Sequence, residues 1–159
     1  MITLTKGQHK YSKKPEDGAC IMELVSYMAN EPWSDAPQCA SSSITSFCIW
    51  INDSGDQEHR DRLLVLAPKI INTRDYKKEP ERANLFAEYA LWCAGEAKSA
   101  KSVKYAAEYA AEYAAKSAEY AAESATQSAQ YAAEYAKSAA FRKKLYGKAI
   151  KTLEKVLDV

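Results

Sequence analysis

Glycine and proline are scarce in this chain, with five of each among 159 residues. Both mark turns, and a fold of many short strands needs many of them. Alternating β-branched runs are equally rare, so an all-α fold is expected. Charge of one sign is also missing. Lys and Arg total 22 against 21 Asp and Glu, a formal net charge of +1. That balance removes any global attraction to nucleic acid or acidic lipid, leaving only local patches. No run approaches the roughly 18–20 apolar residues that span a bilayer. Residues 1–20 are polar and basic where a secretory signal needs an apolar core. The expectation is a soluble cytoplasmic protein with no membrane partner.

Zinc-ligand spacing is absent as well. Cys20, Cys39, Cys48 and Cys93 form no CxxC pair and have no His at ligand distance in sequence, so they are expected to be reduced, partly buried thiols. The chain contains no GxSxG, HExxH, P-loop or GxGxxG, so neither a metal nor a cofactor is expected. The two histidines, His9 in a basic arm and His59 in the charged string QEHRDR, neighbour no Cys or Ser in a known nucleophile setting.

What is present is helical signal. Residues 1–14 read as a flexible basic arm, 15–95 as a head of three or four helices, 96–146 as an alanine- and tyrosine-rich repeat helix, and 147–159 as a C-terminal amphipathic helix. Pro15, Glu16 and Asp17 supply helix-start chemistry. The following segment, residues 18–29, is apolar nearly all round apart from Glu23 and Ser26, so it belongs at the centre of the head. Pro32 and Pro37 enforce a loop. Further helices fit residues 38–51 and 56–67, with Pro68 at the end of the second. A polar linker fits 72–80. The helix opened by Pro80 then carries Leu85, Phe86, Tyr89, Trp92 and Cys93, which are expected to face the head.

Three eleven-residue units follow one another without gaps: YAAEYAAKSAE at 109–119, YAAESATQSAQ at 120–130 and YAAEYAKSAAF at 131–141. The period is about 3.67 residues per turn, close to a straight helix. On a helical wheel the alanines share one arc, with the tyrosines beside them and the acids opposite. Small side chains let another helix approach closely, and Tyr brings a large ring with a polar tip. The expected contact residues are Tyr109, Tyr113, Tyr120, Tyr131, Tyr135, Ala111, Ala122 and Ala133. Unbroken, the helix from 96 to 146 would run about 75 Å, too long for a small head to cover. Its face therefore calls for a second copy, most simply a homodimer, for another protein, or for its own chain folded back at Ser124–Ser128. The C-terminal helix sets Leu145, Ala149, Leu153 and Val156 against a lysine row of Lys144, Lys148, Lys151 and Lys155. That row is a weak basic patch, and nucleic acid is not the expected partner.

One polar cluster stands out: Glu23, Glu31, Trp33, Ser34 and Asp35. A charge on a buried helix needs a partner. Glu23, Glu31 and Asp35 are weak catalytic candidates for acid–base work. The competing roles are structural, with Glu23 capping a loop through backbone N–H groups and Trp33 plugging a small core.

The segment GACIMELVSYMANEPWSDAPQCAS resembles an uncharacterised group of bacterial and phage-associated proteins that share a GAC-x-ME helix, an E-P-[WF]-S-D loop and a following Cys. The resemblance covers roughly residues 16–74, and a fainter similarity runs through the alanine-rich part to the final KTLEKVLDV. Relatives often carry His after the Asp, where this chain has Ala36, so a mechanism using that His has no counterpart here. The resemblance implies a helical, soluble protein. Together these features lead to a non-enzymatic interaction or scaffold protein of phage or mobile-element type, such as an inhibitor of a host-defence complex. The alternative is a small enzyme using the carboxylates of the Glu23 and EPWSD region.

Overall fold

The computed structural model describes residues 2–9, 14–97, 118–134 and 139–159. The described residues hold six α-helices and no strand, an all-α fold. They fall into two compact units, Met1–Asp75 and Tyr76–Val159.

The first unit is built from α1 (Ile21–Met28), α2 (Ser42–Ser54) and α3 (Gln57–Ile70), preceded by a 3₁₀ turn at Pro15–Asp17. Each helix starts where a side chain caps the free N–H groups of its first turn. For α1 the cap is reciprocal: the Cys20 thiol accepts from the Glu23 N–H, and the Glu23 carboxylate accepts from the Cys20 N–H. Ser41 caps α2 at the Ile44 N–H, and Asp56 caps α3 at the His59 N–H. Two residues beyond the end of α1, Asn30 adopts a left-handed φ of 57°. The Asn30 N–H reaches the Tyr27 carbonyl and the Glu31 N–H reaches the Ser26 carbonyl, closing the helix C-terminus and aiming the next residues away from its axis. Pro68 lies inside α3, near its end. It forfeits one helical hydrogen bond there, and the helix stops two residues later. Ile21, Met22, Val25, Ile44, Phe47, Cys48, Ile51, Leu63 and Ile70 are sealed in the core where the three helices meet.

The second unit contains α4 (Glu79–Ala97), α5 (Ala118–Glu134) and α6 (Ala139–Asp158), each packed on the other two. Residue pairs fix the sense of α4 against α6. Glu96 meets Lys144, Tyr89 meets Leu145, and Leu85 lines the same cleft as Lys155, so the two run antiparallel. Leu145, Ala149, Ile150, Leu153 and Val156 form the buried stripe of α6.

Two expectations change here. Phe86, Tyr89 and Cys93 were expected to face the head, but they lie in the core of the second unit, where the Tyr89 hydroxyl donates to the Leu145 carbonyl at 3.3 Å. The fold-back at Ser124–Ser128, one of three alternatives for the repeat, does not occur there, because α5 runs through it unbroken. The physical reason is a stripe of small residues. Ala125, Ser128, Ala129 and Ala132 are all buried, and their spacing of 3, 1 and 3 is one helix face. Packing of that face outweighs the modest helix-propensity deficit of serine.

Candidate functional site

The expected polar cluster is organised by the N-terminal segment. Leu4 is buried and bridges Ala19 in parallel fashion, with the Thr5 N–H donating to the Ala19 carbonyl at 2.9 Å. The Asn52 side-chain amide holds the Thr5 carbonyl at 2.9 Å, and Asp53 receives the Gly7 N–H at 2.9 Å. Within the arm expected to be flexible, residues 4–9 are thus tied to α1 and α2. Gly18, at a φ of 107°, makes the return that brings Ala19 alongside Leu4. An L side chain there would be strained.

At the centre sits Glu23, with 0% of its surface exposed. Its carboxylate accepts from the N–H groups of Cys20 and His9 and from the His9 ring, Nδ1 to Oε2 being 2.8 Å. Burial alone would push this carboxyl upward. The N–H groups of Cys20 and His9, together with the imidazole, outweigh burial and hold it below the usual carboxylate range. On the far side of the imidazole, His9 Nε2 lies 3.0 Å from Thr5 Oγ1. The Trp33 indole N–H donates to the His9 carbonyl at 3.1 Å. Ser26 Oγ donates to the Glu23 carbonyl at 2.8 Å and accepts the Ser34 N–H at 3.2 Å. His9, Glu23, Ser26, Trp33 and Ser34 therefore form one connected network.

The other two candidate carboxylates do not join Glu23. Glu31 is half-buried and accepts the Gln38 N–H at 2.6 Å, which closes the loop on itself. Asp35 is half-buried in a bend of the same loop. Trp33 is half-buried too, so it does not plug the core. Its ring meets Tyr27 edge-on, with centroids 6.5 Å apart and planes at 70°. Tyr27 is 48% exposed and Met28 41%, which makes an apolar surface at the end of α1.

His9 and Thr5 were the residues missed. Fourteen positions separate His9 from Glu23, and the only signal was the unpartnered charge on α1. His59, expected on a charged surface, is buried instead, its Nδ1 within 2.5 Å of the helix-capping Asp56. The thiols are free. Burial pushes Cys20 and Cys93 up to about 12 and also raises Cys48 and Cys39, which leaves little thiolate for chemistry. Among the described residues no group of three or more His, Cys, Asp or Glu could hold a metal ion, and no helix is long and apolar enough to cross a membrane.

Of the expected contact residues on the repeat, Tyr109, Tyr113, Tyr135 and Ala111 lie outside the described residues. Tyr120 and Ala122 belong to the backbone of α5. Tyr131 is 39% exposed and Ala133 half-buried. The lysine row is partly engaged. Lys144 pairs with Glu96 at 2.6 Å, and the Lys144 and Lys148 ammonium groups lie 5.6 and 5.9 Å from the Trp92 ring centre. Lys151 and Lys155 are exposed.

No family model, curated protein or solved structure shows a significant match to the chain.

Proposed function

We propose that the chain is a protein–protein interaction module. The supporting observation is the division of labour around α1: the polar groups of the network bond inward, while Tyr27, edge-on to Trp33, and the following Met28 are left exposed. Aromatic and Met side chains on a pre-organised backbone are the usual anchors of protein interfaces, since little entropy is lost on docking. Acid–base catalysis by Glu23 has less support. Its carboxyl is held low rather than raised, and it is sealed from solvent. Glu31 is engaged by the Gln38 N–H. The resemblance to phage-associated proteins makes a host protein the expected partner, with self-association through the repeat as the other candidate.

The test places a photo-crosslinking amino acid at Tyr27 in the full chain, expressed in its native host. Discrete adducts that vanish with Trp33→Ala and Met28→Ser support the reading. Their absence, in a chain whose circular dichroism is unchanged, removes it. Light scattering on the purified protein separates a homodimer from a foreign partner.

A further inference from the structure

The contacts of Thr5, His9 and Glu23 have a chemical consequence beyond fastening the arm. A neutral imidazole carries one proton. An ionised carboxylate 2.8 Å from His9 Nδ1 draws that proton to Nδ1. Nε2 is then left as an acceptor, 3.0 Å from Thr5 Oγ1. The alternative acceptor for the Thr5 hydroxyl, the Ala19 carbonyl, is farther away at 3.3 Å. A hydroxyl bonded to a base, with that base oriented by a buried acid, is the arrangement that activates serine and threonine nucleophiles on unrelated folds. The orienting acid in such a relay accepts hydrogen bonds and stays ionised, and Glu23 is fully buried with all its described bonds accepted ones.

The reacting end is open. Thr5 is exposed, and 23% of the His9 side chain reaches solvent. Gly18 lies against the pair, where a Cβ would make ordinary van der Waals contact with Thr5 Oγ1 at 3.4 Å and His9 Cδ2 at 3.5 Å. The site is therefore unlike the thiols of the chain, which are sealed or half-sealed.

We propose that Thr5 is a nucleophile activated by His9 and positioned through Glu23, and that it accepts acyl groups from small esters. Thr5 Oγ attacks the ester carbonyl and its proton passes to His9 Nε2. The carbon–oxygen bond to the leaving alcohol breaks, and the alcohol departs with the proton from His9. Thr5 is left as an acyl ester, which water releases by the same steps in reverse roles. This proposal stands apart from the interaction reading, as it uses none of Tyr27, Met28 or the repeat.

A fluorophosphonate probe tests it on the full chain, because the probe needs the same attack: the Thr5 Oγ–phosphorus bond forms, fluoride leaves, and His9 takes the proton. Peptide mass spectrometry should place the adduct on Thr5. Thr5→Val and His9→Gln should abolish it, and Glu23→Gln should slow it by 10²–10⁴-fold, about the range for a positioned proton transfer. Nitrogen-15 spectra of the histidines report the positioning role separately. In the wild type His9 should carry its proton on Nδ1, and in Glu23→Gln it should redistribute towards Nε2. An unlabelled wild-type protein overturns the proposal, as does label confined to other residues. Equal labelling of the wild type and His9→Gln, both folded by circular dichroism, also overturns it.

Discussion

Glu23 shows how one side chain can set the pH range of a fold. Its carboxyl is held below the ordinary carboxylate range in the folded chain. The stability it contributes is therefore present above the unfolded carboxylate value and is lost as pH falls through the lower folded value. Urea midpoints should drop below about pH 4, near the ordinary carboxylate range, and that drop should shrink in Glu23→Gln. The same substitution at neutral pH should destabilise by about 1–3 kcal/mol, because the buried N–H groups of Cys20 and His9 lose a charged acceptor. Trp33 behaves differently. Trp33→Phe keeps a ring and removes the bond to the His9 carbonyl, so a loss of about 0.5–1.5 kcal/mol is expected from the same denaturation measurement. A much larger loss would mean that the ring supports the core after all. At this scale the sequence was half legible. A lone Glu on an apolar helix announces that it has a partner, but nothing in HKYSKK announces that His9 is the one, since contacts across fourteen residues leave no periodic trace.

Among the elements, α5 is the clearest case of tertiary packing overriding local preference. SATQS reads as the weakest point of the repeat, yet Ser128 is as buried as Ala125 and Ala129. Helix propensity registers only the backbone preference of serine, a few tenths of a kcal/mol. It is blind to serine being small enough to be buried on a closely packed helix face. Helix starts were unevenly legible: the sequence pattern puts the third helix within a residue of its Asp56 cap, but the second at residue 38 and the first at Pro15–Asp17, whereas α2 is capped by Ser41 and α1 by the Cys20–Glu23 pair. A packed small-residue stripe makes a direct prediction. Ala129→Leu should overpack the unit and destabilise it by about 1–3 kcal/mol. Gln127→Ala, on the exposed face of the same helix, should stay within about 0.5 kcal/mol. Equal effects in urea titrations would mean that Ala129 is not held by close packing.

For the whole molecule, composition and contact disagree about where the chain divides. The amino-acid mixture changes at Gly95, but the compact units divide between Asp75 and Tyr76. The reason lies in α4. Its aromatic residues look like head residues by composition, and Phe86 and Tyr89 are nevertheless buried among α4, α5 and α6. A change in composition marks a change in surface, whereas a unit boundary follows the core that a helix completes. If the boundary is thermodynamic as well as geometric, Met1–Asp75 should fold alone. It carries its own caps, its own arm-fastening network and a core running from Ile21 to Ile70. Small helical domains of that length do fold independently. The fragment should show a helical circular dichroism spectrum and a single cooperative thermal transition, and His9→Gln should lower its midpoint. A spectrum without helix, or a melt without a transition, would show that the first unit depends on the second for its stability despite having a separate core.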